Sequence, residues 1–226
     1  MNLLAIETSS PILSVAIKKT GGKLRQATIK GYMKHAENLL PVIDRLLKKE
    51  KLKIRDIDAF LISRGPGSFT GLRIGFATLK GFLAIQPRPC YGASSLDVIA
   101  AGIAPKKYLG LTVCLDAKRG KLYTRSYRYH GKRWRPNGSS RVLLSSEMLP
   151  QIPQGDGVAG DGLSKIDSKD LAVVPEKNWL PQASTLIRLF EAQDPLLKKL
   201  IRPKEFLPVY LRSSEPEEKL KEKNRT

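Results

Sequence analysis

Apolar residues follow two rhythms along this chain. In "NLLAIETSS" and "ILSVAIKK" they run almost unbroken, stopping first at Glu7 and a Ser/Thr turn and then at the glycines of "TGGK". That pattern predicts a buried strand ending in an acid, a tight turn and an antiparallel return strand. Leu24 to Ile29 supplies a third strand. In "HAENLLPVIDRLLKKEKL" the spacing becomes helical, with Leu39, Ile43 and Leu46 on one face and Leu40 and Leu47 on another. Pro41 either kinks this helix or marks its first turn. "IDAFLIS" reads as a short buried strand.

The same order then returns. "GLTVCLD" ends at Asp116, "AKRG" makes a turn, "KLYTRSYRYH" is a strand, and a glycine turn follows at Gly131. A repeat of strand, acid, turn, strand and glycine turn at a period above a hundred residues implies a duplicated domain. Two related α/β lobes facing each other are expected. "SSLDVIAAGIA", Ser94 to Ala104, reads as a helix closing the first lobe, capped by Ser94 or Ser95 and followed by Pro105. The expected division is therefore 1–105 for the first lobe, 106–212 for a smaller second lobe with a return segment, and 213–226 for a disordered tail. Within 106–212, "GVAGDGL" predicts a strand with a tight turn at Gly160 to Gly162, "QASTLIRLFEAQ" a helix of the second lobe, and "FLPVYLR" an apolar anchor.

The segment "ISRGPGSFTGLRIGFATLKGFLAI" has two faces of interest. Gly65-Pro66-Gly67 follows a strand, and Ser68 or Thr70 can cap a helix whose amides would suit an anion; the other reading is a plain turn and cap. Neither a Walker loop nor a dinucleotide fingerprint is present. Beyond it, Leu72, Ile74, Phe76, Leu79, Phe82 and Leu83 point all round the axis, with Arg73 and Lys80 as the only charges up to Ile85. Such a helix is buried on more than one side, by the neighbouring helix or by another protein. Gly71 and Gly75, one turn apart, predict a groove into which a second backbone packs, so that Gly75→Leu is expected to fold but to lose its partner.

Charge changes the picture of the second lobe. The 226 residues include 40 Lys and Arg against 21 Asp and Glu, a formal net charge of +19. Either a polyanionic partner or solubility accounts for that excess. Lys106 to Arg141 holds eleven basic residues and the single acid Asp116, with Tyr108, Tyr123, Tyr127, Tyr129 and Trp134 interleaved. Lys118, Arg119, Arg125, Arg128 and Arg133 are the candidate phosphate contacts, and the aromatic faces are candidates for unpaired bases. The equally weighted reading is a solvated edge strand that uses charge against aggregation.

Glu7 and Asp116 stand where a two-lobed nucleotide-binding fold holds carboxylates near phosphate-bound magnesium, although a hairpin-end role suits both. Cys90, Cys114, His35 and His130 lie too far apart in sequence for a zinc pairing, so no metal site is expected. His35 reads as a surface or capping residue. With no basic leader and no apolar run of about 18 residues, a soluble cytoplasmic protein without a membrane association is expected.

"LLAIETSSPILSVAI", "HAENLLPVIDRLL", "IDAFLISRGPGSFTGLRIGFATLKGF", "LDAKRGKLY", "GDGL" and "PVYLR" occur in the order typical of the TsaB (YeaZ) family, which this chain resembles over most of its length. The resemblance implies duplicated ribonuclease-H-like lobes of the type shared by actin, sugar kinases and Hsp70. It also implies a non-catalytic subunit in the formation of threonylcarbamoyladenosine beside the anticodon of tRNA. TsaB-like proteins pair with TsaD, which carries the metal site and transfers the threonylcarbamoyl group, and a small ATPase, TsaE, joins them. On that basis the partner interface, with TsaD or with a second copy in its absence, comprises His35, Leu39, Leu40, Ile43, Leu47, Gly71, Leu72, Ile74, Gly75, Thr78, Leu79 and Phe82. The five basic residues become tRNA contacts. Glu7, where the family usually has aspartate, and Asp116 become a vestigial nucleotide cleft. ATP or ADP with magnesium belongs to the complex rather than to strong binding by this chain. An ATP-dependent kinase or hydrolase of the same fold and a free-standing RNA-binding module are the other function classes.

Overall fold

The computed structural model describes residues 1–31, 34–104 and 108–212. The expected lobe boundary at Pro105, the basic residue Lys106 and the tail 213–226 lie outside them. The first half of the chain forms β1 (Leu3–Glu7), β2 (Ile12–Lys18), β3 (Leu24–Lys30), α1 (His35–Lys49), β4 (Ala59–Ser63), α2 (Phe69–Ile85), β5 (Cys90–Ala93) and α3 (Ser95–Ala101). The second half forms β6 (Gly110–Asp116), β7 (Lys121–His130), β8 (Arg133–Pro136), β9 (Arg141–Leu144), α4 (Ser145–Met148), β10 (Gly157–Ala159), β11 (Ala172–Val173), α5 (Ala183–Glu191) and β12 (Lys198–Leu200).

Among the described residues two sheets form, in the orders β12-β5-β4-β1-β2-β3 and β11-β10-β6-β7-β8, with β9 also on β7. In each, a leading strand pairs antiparallel with its hairpin partner (β1 with β2, β6 with β7) and parallel with a later strand (β4, β10). The duplication read from the sequence is thus a duplication of topology, and the architecture is that of paired ribonuclease-H-like lobes of the actin, sugar kinase and Hsp70 type.

Strand periodicity explains the layers. Along β1, Leu4 and Ile6 face the core under α1 and α2, while Leu3 and Ala5 face the opposite core with Leu186 and Ile187 of α5. Both faces of the strand are covered, which is why its apolar run is continuous. In the second sheet Leu111, Val113 and Leu115 pack on α3, and Cys114, Leu122 and Val158 pack on Met148 of α4.

Two helices sit differently from the sequence expectation. α3 does not close the first lobe: Leu96, Ile99, Ala100 and the following Ile103 pack into the core of the second sheet. α5 is not a helix of the second lobe, since it lies across β1, β2 and β4, and β12 after it pairs with β5. Each half of the chain lends a helix to the other half's sheet. The segment after β12 is the expected anchor: the Val209 N–H donates to the Arg64 carbonyl at 2.7 Å and Tyr210 stacks on Phe69 with ring centroids 4.4 Å apart. Pro41 lies inside α1 beyond its first turn. Leu47 shares the buried face with Leu39, Ile43 and Leu46, leaving Leu40 exposed.

Candidate functional site

The hairpin between β1 and β2 carries the first lobe's acid. Glu7 is fully buried, and its Oε1 accepts from the Ser9 N–H and the Ser9 hydroxyl, both at 2.6 Å. Ser95 Oγ donates in turn to Ser9 Oγ at 2.7 Å. His35, expected as a surface or capping residue, is fully buried at the start of α1, with Nε2–H donating to the Ser10 carbonyl at 3.1 Å. The Gly65–Ser68 loop closes over this tip. The Ser68 N–H donates to the Ser9 carbonyl at 2.8 Å, and the Ser68 hydroxyl caps α2 by accepting from the Gly71 N–H at 3.2 Å. The loop is therefore a turn and cap. The Ser68 amide is spent on the chain itself, and Glu7 beneath the loop is fully buried, so the tip is not open to a phosphate or a magnesium ion.

Gly71 and Gly75 of α2 face this tip. A Cβ at Gly71 would stand 2.0 Å from the Thr8 carbonyl oxygen, and one at Gly75 would stand 2.4 Å from Thr8 Oγ1. The backbone that uses the groove belongs to the same chain.

Burial pushes the Glu7 carboxyl up to about 7 from an ordinary 4.5, against the pull of the bonds from Ser9. The unfolded chain releases this proton near 4.5 and the folded protein near 7, so native stability falls as pH rises across that window and is level above it. The span is worth at most about 3 kcal/mol. Glu7→Gln, a neutral isostere, should match the parent at about pH 4 and exceed it by up to about 3 kcal/mol at about pH 8 in urea unfolding. A difference that does not change with pH would mean that Glu7 is not held neutral by burial.

Asp116, at the corresponding end of β6, is half-buried and bound locally. It accepts from the Lys118 N–H at 2.7 Å and pairs with Lys118 Nζ at 2.9 Å, while its own N–H donates to Asp161 Oδ1 at 3.0 Å. Glu7 and Asp116 have separate sets of partners. Among the described residues no group of three or more His, Cys, Asp or Glu is placed to hold a metal ion, and no helix is long and apolar enough to cross a membrane.

Much of the basic stretch is committed to the fold. Arg125 pairs with Asp97 at 2.9 Å, Arg128 with Asp156 at 2.6 Å, and Arg133 and Arg135 with Asp194 at 3.1 and 3.2 Å. The carboxylates are buried and come from outside Lys106 to Arg141, so a local count of charge misses them. Tyr123, Tyr127 and Trp134 are buried and offer no face to a base; the Tyr127 hydroxyl donates to Asp97 at 2.7 Å and the Trp134 indole to the Ile103 carbonyl at 2.9 Å. Arg125, Arg128 and Arg133 thus anchor the fold, each through an ion pair to a buried carboxylate. Lys118 and Arg119 occupy a turn with φ of 64° and 53°.

The α1–α2 face carries an open apolar groove. His35, Leu39, Ile43, Leu47, Gly71, Leu72, Gly75 and Leu79, expected at an interface, are buried in this chain's own core. Leu40 is 54% exposed, and Ile74, Thr78 and Phe82 are half-buried. Phe82 stacks on Phe60 at 5.7 Å and lines a groove of about 660 Å³ with Leu40, Leu52 and Ile54, floored by Ile43 and Leu47. Leu52 and Ile54 were not singled out from sequence, where they lie in the charged run "KKEKLKIRD"; their signal is a spacing of two across the end of a helix. Leu52 is held there by a Schellman cap, with its N–H on the Leu47 carbonyl at 2.9 Å and the Lys51 N–H on the Lys48 carbonyl at 3.1 Å.

Known proteins are similar to this chain in sequence and in fold. The protein-family model described as TsaD, tRNA N6-adenosine threonylcarbamoyltransferase, matches residues 29–188. The tRNA threonylcarbamoyladenosine biosynthesis protein TsaB of Haemophilus influenzae is 28% identical over 231 aligned positions that span 94% of each chain. TsaB of Escherichia coli is 32% identical over 166 positions, covering 70% of this chain and 68% of that one. The solved structure of YeaZ from Pseudomonas aeruginosa has a TM-score of 0.77 at 26% identity, covering 93% of this chain and 99% of that one.

Proposed function

We propose, since the chain belongs to the TsaB family, that it works in tRNA threonylcarbamoyladenosine biosynthesis as a non-catalytic cytoplasmic subunit that docks a TsaD-type transferase through the α1–α2 face. The observation that carries this reading is the exposure of Leu40 above an apolar groove that α1 shares with Phe82 of α2. The enclosed hairpin tip at Glu7 supports a scaffold over a kinase or hydrolase, because phosphoryl transfer needs amides and carboxylates that a phosphate can reach. Any nucleotide and magnesium of the assembly then belong to its other subunits, among them a TsaE-type ATPase. The anchored arginines leave tRNA binding to other basic residues and to the assembled complex.

The test is reconstitution with the TsaD-type subunit of the same organism. Leu40→Asp should leave the melting temperature of this chain nearly unchanged, because the side chain is mostly in water, and weaken pairing about tenfold or more by placing a charge on the groove. Formation of threonylcarbamoyladenosine by the mixed subunits should fall with it. Full pairing by the Leu40→Asp protein would move the contact elsewhere.

A further inference from the structure

The groove between α1 and α2 has a rim as well as a floor. Lys48, Lys51 and Lys53 stand around it with one acid, Asp44, which pairs with Lys48 at 2.8 Å and leaves Lys51 and Lys53 as the net charge of the rim. All three lysines are exposed. Lys51 is the informative one. It occupies the left-handed position of the Schellman cap at φ 56°, where glycine is the usual resident and a side chain crowds the backbone. A residue held in a disfavoured conformation at the edge of an open groove points to a use for its side chain. Leu47 and Leu52, the apolar pair of that cap, line the groove beneath it.

We propose that the groove selects its occupant by charge: it takes an amphipathic helix whose apolar stripe is flanked by carboxylates, and it disfavours a second copy of this chain. The proposal rests on the reading of the α1–α2 face as the docking surface. Apolar contact with Leu40, Leu52, Ile54 and Phe82 gives the helix its seat, and the lysines set which helix is admitted. A two-fold pairing of this face with itself would bring its rim of lysines against an identical rim, with one aspartate per copy already neutralised.

Lys51→Gly separates the two roles of that residue. Relief of the left-handed side chain should raise the melting temperature by about 1–3 °C. Affinity for the TsaD-type subunit, measured by isothermal titration, should nevertheless fall about threefold at low salt, and about tenfold or more when Lys48→Ser and Lys53→Ser are added. The parent's own affinity should weaken as sodium chloride rises from about 50 to about 500 mM, and that salt response should shrink in the triple variant. Sedimentation of the parent alone should show self-association weaker than the mixed pairing, and strengthening rather than weakening as salt screens the rims. If Leu40→Asp abolishes pairing while the lysine variants and salt leave it unchanged, the docking surface stands and the charge selection is overturned. If Leu40→Asp also leaves pairing intact, the docking surface itself fails. Self-association tighter than the mixed pairing at low salt would likewise overturn the proposal.

Discussion

Gly71→Ala should destabilise the folded protein by about 3 kcal/mol or more, although the same change in an exposed helix would stabilise it by up to about 1 kcal/mol. The opposing term is steric. The new methyl would meet the Thr8 carbonyl at 2.0 Å, and neither side of that contact is a flexible side chain. Thr8 follows a carboxylate locked onto Ser9, and Gly71 is in the first turn of a helix capped by Ser68, so relief requires α2 to move off the sheet. Gly81 in the same helix is an internal control. Nothing lies within 4 Å of a Cβ there, so Gly81→Ala should be neutral or stabilising. Gly75→Leu, expected from sequence to fold and fail only in assembly, should instead resemble Gly71→Ala, because Thr8 Oγ1 occupies the space its side chain needs. Urea unfolding of the three variants checks the order; a Gly71→Ala protein as stable as the parent would show that the tip gives way to α2.

Removal of the Asp97 carboxylate should cost about 3–5 kcal/mol, since it leaves Arg125 and the Tyr127 hydroxyl without the acceptor that burial obliges them to have. Asp97 lies in the first turn of α3, whereas Arg125 and Tyr127 lie on β7, so the bond ties the first half of the chain to the second sheet. Burial raises the Asp97 carboxyl, and Arg125 and the Tyr127 hydroxyl draw it back only in part. Asp97→Ala and Tyr127→Phe, alone and combined, form a cycle read by denaturant unfolding. The double variant should lose less than the sum. Additive losses would mean that Asp97 and the Tyr127 hydroxyl are not coupled, and a loss below about 1 kcal/mol for Asp97→Ala would mean that the ion pair contributes little and would restore Arg125 as a candidate for phosphate.

Sequence reasoning reached far where a signal is local. The strand ending at Glu7 and its echo ending at Asp116 carried the duplicated topology, because a continuous apolar run followed by an acid and a turn is written in consecutive residues. It failed where the deciding partner is remote. Nothing in "SSLDVIAAGIA" says that Leu96 and Ile99 pack on a strand not yet reached, nor does "QASTLIRLFEAQ" say that Ile187 returns to β1. Long stretches of chain likewise separate Gly71 from Thr8 and Arg125 from Asp97. Of the expected interface, Leu40 remained outside and Leu39 did not, a difference of one position on a helix whose rotation depends on the sheet beneath it.

The exchange of α3 and α5 has a consequence for how such a chain can be divided. Along the sequence there are two repeats, but in space neither repeat is whole: each sheet is roofed on one face by a helix encoded with the other. A fragment ending after α3 would leave bare the Leu3 and Ala5 face of its sheet, and a fragment starting at β6 would leave bare Leu111, Val113 and Leu115. The halves are therefore not modules that can be separated, shuffled or inherited singly, and would become native only by completing one another as a split protein does.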